Sequence, residues 1–242
     1  MIWARLVSAL AIGLLGAAPV HAASLQVQPA LVDVIAPGAA STVTLRNEGQ
    51  KPITVQIRVF RWSQVDGEER LEPTEDVVAS PPAVELTPET DYVARIVRVV
   101  KRPVAGEEAY RLLVDELPDA RQVKSGTIKL LVRYSIPVFF AEPDRTPPAV
   151  AWTVSRHAGR VIVSARNAGV SRLRISSLSL RDAGGHKISF GNGLVGYALG
   201  RSTMRWTAPA SGHRFAASGP VRISGQGNDG TIDAIAPVVA KQ

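Results

Sequence analysis

Apolar and polar residues alternate with period two along most of the chain, in short runs broken by turn residues. The segments "LQVQPALVDVI", "STVTLRN" and "ITVQIRVFRW" are separated by "PGAA" and "EGQKP", and this pattern predicts closely spaced strands of an all-β sandwich. The acidic stretch "VDGEERLEPTED" (Val65–Asp76) predicts a loop, after which "YVARIVRVV", "AYRLLVDELP" and "TIKLLVRYSIPVFF" resume the alternation. At "AEPDRTPPA" (Ala141–Ala149) prolines and charges interrupt it, as in a proline-stiffened linker. It restarts with "AWTV", "GRVIVSARN", "LRISSLSL", "HKISF", "LVGYAL", "STMRWTA" and "GPVRISGQG". Long stretches of helical spacing are absent.

A weak internal echo suggests one module used twice. "VTLRNEG" (Val43–Gly49) and "VSARNAG" (Val163–Gly169) share V-[ST]-x-R-N-x-G at the end of an alternating run. Asn and Gly at that spacing are turn chemistry, since both tolerate positive φ. Each half, of roughly 100 residues with about seven strands, fits an immunoglobulin-like domain. The predicted division is a leader at residues 1–22, a first sandwich at 23–141, a linker at 142–148 and a second sandwich at 149–242.

The run Thr127–Phe140 raises a question of its own. Ile128, Leu130, Val132, Tyr134, Ile136, Val138 and Phe140 share one face, yet Pro137 interrupts the other. Proline gives no N–H to a ladder and points to an edge strand or a strand end. A long apolar edge is a template for pairing with another chain, and most proteins blunt it.

The N-terminus reads as a signal peptide: Arg5, the apolar run Leu6–Ala18, and "PVHA" before a cleavage site after Ala22. That run of about 13 residues falls short of the roughly 20 that span a bilayer. Export with cleavage is therefore expected, and no later segment predicts membrane insertion. Cysteine is absent, which removes disulfides, thiolate metal sites and cysteine nucleophiles. The formal charge of +7 is spread along the chain without basic runs interleaved with aromatics, so nucleic acid is not an expected partner.

Catalytic chemistry finds little support. His157, His186 and His213 each sit in turn-like sequence without a second ligand at metal spacing. Glu68/Glu69 and Glu107/Glu108 read as solvated loop charges, and Asp115/Glu116 as strand neighbours facing opposite ways. "FGNGLVG" contains a formal G-x-G-x-x-G, but the following "YALGRSTMRW" has no helical face, so the motif reads as a turn. No cofactor and no metal are expected.

Taken in order, three segments resemble the periplasmic pilus-assembly chaperones of the chaperone–usher pathway. "EEAYRLLVDELP" (Glu107–Pro118) is similar to the family's signature segment, "TIKLLVRYSIPVFF" stands in the place of its donor strand, and "GLVGYALGRSTMRW" is similar to part of its second domain. The resemblance implies two immunoglobulin-like β-sandwich domains set at an angle. It also implies a client pilin that lacks its last strand and receives an edge strand from the chaperone. By position, Ile128, Leu130, Val132 and Tyr134 are the side chains that would enter the client. Packing of the same face into the domain's own core is the competing reading, and alternation alone does not separate the two.

In familiar members an arginine on the first strand and a lysine on the donor strand anchor the client's C-terminal carboxylate. The matching positions here fall at or near Pro29 and Pro137, neither charged, which places the chain in a divergent branch, such as alternative or spore-coat-like pili. Arg111 and Arg133 are the candidate replacements, since a guanidinium fork can hold a carboxylate bidentately. The alternative for each is a surface pair with Asp115 or Glu116.

The resemblance implies a non-enzymatic chaperone whose partners are pilin-like subunits and an outer-membrane usher. The open edge also admits self-association of the free protein. A structural or adhesive fibre subunit is the second reading, but it calls for an N-terminal donor extension, whereas "SLQVQP" begins a strand almost at once. A carbohydrate-active enzyme on a sandwich scaffold would need a convergent carboxylate pair.

Overall fold

A computed structural model describes residues 25–118, 130–208, 215 and 219–239. The leader and His213 lie outside them. Every regular element among the described residues is a strand, and no helix is long and apolar enough to cross a membrane.

The first half contributes β1 (Leu25–Gln28), β2 (Val32–Ile35), β3 (Ala40–Asn47), β4 (Ile53–Val65) and β5 (Glu68–Pro73). It continues with β6 (Val77–Ser80), β7 (Ala83–Leu86), β8 (Asp91–Arg98), β9 (Glu107–Glu116) and β10 (Arg133–Ala141). A four-stranded sheet in the order β1-β3-β8-β6 faces a six-stranded sheet in the order β2-β10-β9-β4-β5, with β7 also on β4. Val43, Leu45, Ala94 and Ile96 from the first sheet meet Ile57, Leu112, Val114, Val138 and Phe140 from the second in one buried core.

The second half contributes β11 (Val150–His157), β12 (Arg160–Asn167), β13 (Leu173–Arg181), β14 (Lys187–Ser189) and β15 (Leu194–Ala198). It ends with β16 (Ser202–Thr207), β17 (Val221–Gln226), β18 (Thr231–Ala236) and β19 (Val238–Val239). The sheet β16-β12-β11-β19 packs on β14-β13-β17-β18, with β15 also on β13, around Val154, Val163, Ile175, Leu180 and Ile223. No sheet mixes strands from the two halves.

The internal echo marks equivalent places. Asn47 and Asn167 are both buried at the ends of β3 and β12. Asn47 Nδ2 donates to the carbonyls of Lys51 (2.8 Å) and Leu86 (3.0 Å), and its Oδ1 accepts from Gly49 N–H at 2.9 Å. Asn167 makes the same set with Ser171 (2.7 Å), Ala198 (3.1 Å) and Gly169 (3.0 Å). Neither asparagine adopts positive φ. The expected mechanism is therefore corrected: the amide side chain, not an unusual backbone, holds each turn by bonding three backbone groups.

Two other expectations are corrected. Val65–Asp76 is not a loop but largely the hairpin of β4 and β5, paired from Phe60↔Pro73 to Val65↔Glu68. Its outer strand is exposed at every position, so burial never marks it, and cross-strand hydrogen bonding alone makes it a strand. Glu107 and Glu108 are not solvated loop charges. They lie on β9, where alternation sends them to opposite faces, one to Arg172 and the other to Arg98.

Candidate functional site: the open edge of β10 and the cleft beside it

Strand β10 is covered unevenly. It pairs with β9 along its whole length, Arg133↔Asp115 through Ala141↔Glu107. On its other side β2 pairs only with Val138–Ala141. Among the described residues Arg133–Pro137 therefore have a strand neighbour on one side only, and the expected edge is half an edge. Thr127, Ile128 and Lys129 lie outside the described residues, and Leu130–Val132 precede the strand.

Parity explains how Pro137 is tolerated. The Val132 carbonyl accepts from Glu116 N–H on the β9 side, and the Ala141 carbonyl accepts from Ala36 N–H on the β2 side. Even positions of this unbroken ladder thus turn their backbone groups to β9, and odd positions turn them away. Pro137 is odd, so its missing N–H removes no bond to β9. Arg133 and Ser135 direct theirs to the open edge.

Along the apolar face, burial grades from core to surface. Phe140 and Val138 are fully covered, Ile136 is 3% exposed, Tyr134 and Val132 are half-buried, and Leu130 is 86% exposed. Tyr134 packs against its own core and donates its hydroxyl to the Leu25 carbonyl at 2.6 Å. One face of one segment is thus core at its C-terminal end and an exposed apolar surface at Leu130.

The opposite face of the six-stranded sheet carries rows of facing residues: Phe60, Arg111 and Pro137; Arg58, Leu113 and Ser135; Gln56, Asp115 and Arg133. Below the first row, Trp62, Phe139, Tyr197 and Leu199 form a buried cluster shared by both halves. Trp62 meets Tyr197 edge-on at 5.5 Å between ring centroids. This face therefore lines a cleft whose floor is aromatic.

Arg111 lies directly above that floor, opposite Pro137. Its guanidinium stacks 3.7 Å from the Trp62 ring centroid, and Nη2 reaches Glu69 at 3.2 Å. Its side chain is 13% exposed and that of Glu69 37%. The carboxylate it meets is thus on β5, not Asp115 or Glu116. Arg133 sits at the outer end of the edge, 63% exposed at its side chain, and pairs with Asp115. Arg58 reaches the same carboxylate at 2.6 Å. Burial pushes Asp115 upward, but hydrogen bonds from Arg133 and Arg58 outweigh it and hold its carboxyl below the usual range.

The seam between the halves is polar around the aromatic cluster. Arg172 bonds Glu107 and donates Nη2 to Asp33 at 2.6 Å, and Arg145 reaches Glu107 at 3.2 Å. Gln64 donates Nε2 to the Tyr197 carbonyl at 2.7 Å, and its Oε1 accepts from Leu199 N–H and Ser202 Oγ–H, each at 2.9 Å. The sequence carried no local signal for these residues, because their partners are distant in the chain. His186 Nδ1 meets Asp182 at 3.2 Å, and among the described residues no three metal-ligating side chains converge.

Residues 24–146 match the family described as pili and flagellar-assembly chaperone, PapD N-terminal domain. The chain belongs to this family. It is a family of assembly chaperones, not of enzymes. Solved pilus chaperones share the fold over nearly the whole chain. A chain of the CsuC–CsuE chaperone–tip adhesion subunit pre-assembly complex, from archaic chaperone–usher Csu pili of Acinetobacter baumannii, is 24% identical. It aligns with a TM-score of 0.67 over 91% of this chain and 100% of that one. The E. coli chaperone DraB is 21% identical, with a TM-score of 0.57 over 87% of this chain and 97% of that one. The complex of Salmonella enterica SafA pilin with the SafB chaperone contains a chain 16% identical, with a TM-score of 0.59 over 89% and 97%. No curated protein matches. The two sandwiches are thus the immunoglobulin-like pair of a pilus chaperone.

Proposed function

We propose that this chaperone binds pilin-like subunits by lending them the N-terminal part of the β10 segment. The observation that carries the reading is the half-open strand: backbone groups at Arg133 and Ser135 directed outward beside an apolar face that ends in an exposed Leu130. A client missing one strand supplies the absent neighbour, with main-chain bonds giving affinity and alternate side chains giving fit. Ile128, Leu130 and Val132 enter the client, and Tyr134 marks the border with the chaperone's own core. The complexes solved for chaperones of the same fold, one with a tip adhesion subunit and one with a pilin, support this choice of partner.

Arg111 is the proposed carboxylate anchor. It faces the cleft beside Pro137, and a client's terminal carboxylate would replace the half-exposed Glu69. Arg133 is the weaker candidate, since releasing it would leave a buried Asp115 with Arg58 alone. The proposed setting is the periplasm after removal of residues 1–22, with the chaperone domain at 23–141, the linker at 142–148, the second domain at 149–242, and an outer-membrane usher receiving the loaded subunit.

The test is co-expression with neighbouring subunit genes, followed by pull-down from the periplasm. Stoichiometric recovery of a subunit is expected. Recovery that survives Leu130→Asp would overturn the reading.

A further inference from the structure

A pocket of about 590 Å³ lies between the β4–β5 turn of the first sandwich and the outer surface of β12 and β16 in the second. Val65, Asp66 and Gly67 form one wall, and Arg166, Arg201 and Arg205 line the others. Backbone pairing places the cations together. Arg166 lies opposite Thr203, so Arg205, two residues on, is its diagonal neighbour on the same face, about 7–8 Å away by the geometry of paired strands. Arg201 enters from the turn before β16.

These arginines differ from Arg58, Arg98, Arg111, Arg133 and Arg172, each of which holds a carboxylate. Among the described residues neither Arg166 nor Arg201 has an ion-pair partner, and Arg205 donates Nη1 only to the Asp66 carbonyl, at 2.7 Å. The one carboxylate at the pocket, Asp66, leans to Arg70 at 3.8 Å and is largely exposed. Three exposed arginines therefore gather around one pocket whose lining holds a single carboxylate, Asp66.

The turn is shaped to allow this. Gly67 has φ +84, and a Cβ there would come within 2.7 Å of the Arg205 side-chain carbons. Glycine at this positive φ leaves room for the Arg205 side chain to lie across the turn.

We infer that this pocket binds a small polyvalent oxyanion, a polyphosphate or a polycarboxylate, which ties the β4–β5 turn to the second sandwich. Guanidinium forks suit both chemistries, and the volume falls in the range of small-molecule sites. The site is distinct from the β10 edge, from which β9 and β4 separate it within the sheet, and it does not depend on the client-binding reading.

The experiment is a thermal melt and calorimetric titration of the purified protein with pyrophosphate or citrate, against sodium chloride of equal ionic strength. Saturable binding of at least one anion is expected, with the melting midpoint raised by about 5–10 °C at a hundred times Kd. The ratio of the two affinities assigns phosphate or carboxylate chemistry. The Arg166→Gln/Arg201→Gln double variant removes two exposed side chains without bonded partners, so it should fold, and its affinity should fall at least tenfold. Arg222→Gln, which removes a cation paired with Asp233 on the other sheet of that sandwich, should bind like the parent. No saturable binding of either anion, or binding undiminished in the double variant, would overturn the proposal.

Discussion

Leu130 and Ile136 occupy the same face of one segment, six residues apart, and should respond oppositely to truncation. Ile136 is 3% exposed and belongs to the first core, while Leu130 is 86% exposed. Ile136→Ala removes buried carbon and leaves a cavity, and should destabilise the free chaperone by about 2–4 kcal/mol. Leu130→Ala and Leu130→Asp leave nothing uncovered in the free protein, and each should stay within about 0.5 kcal/mol of the parent in a denaturant melt. In a client groove the order changes. Covering a leucine fully is worth roughly 1.5–3 kcal/mol, and a carboxylate placed there meets a further penalty for lost hydration. A loss of about 3 kcal/mol corresponds to a more than hundredfold weaker complex. The assay pairs urea melts of purified variants with recovery of co-expressed subunit from the periplasm. Leu130→Asp should melt with the parent and recover no subunit. If Leu130→Asp unfolds the chaperone, the segment packs within the domain and the lending mechanism is wrong. If it melts normally and still recovers subunit, the client binds elsewhere.

Arg111→Ala should abolish subunit recovery through loss of a charge-assisted bond worth on the order of 2–5 kcal/mol, whereas Arg133→Ala should reduce it little; equal, full recovery with both would retire the anchor assignment. Arg172→Ala leaves the Glu107 carboxylate buried at the seam with Arg145 as its remaining cation, and should destabilise the protein by about 3 kcal/mol in a denaturant melt; an unchanged melt would mean that the seam is not stabilised through this pair. Asp115, held below its usual range once Arg133 and Arg58 outweigh its burial, adds stability above its unfolded pKa of about 4 that is lost as pH falls further; Asp115→Asn should flatten that part of the acid stability profile, and an unaltered profile would refute the pairing. Burial and the neighbouring Glu108 raise the Tyr110 hydroxyl far above its ordinary range, so its stabilising contribution is complete below pH about 10 and is lost above it. Ultraviolet titration should accordingly show Tyr110 ionising only as the protein unfolds, and that component should be lost in Tyr110→Phe.

Period-two alternation is a property of the strand backbone itself, and with the proline-rich break at Ala141–Ala149 and the internal echo it predicted two sandwiches. The echo around Asn47 and Asn167 was legible for a similar reason, since a side chain that caps its own turn acts within a few residues. Pro137 announced an edge, and Leu130 and Val132 stood out as apolar positions on its face. The β4–β5 hairpin escaped notice because its outer strand buries nothing and leaves no mark in hydrophobicity. Only the tertiary structure decided where the β10 edge opens, because β2 reaches Val138 but not Ser135. Likewise it alone brought Arg111 onto Trp62 and Glu69, Arg172 onto Glu107, and three arginines around one cavity. Alternation states which face a residue takes; what covers that face, or leaves it bare, depends on segments tens of residues away whose approach is set by the packing of whole sheets.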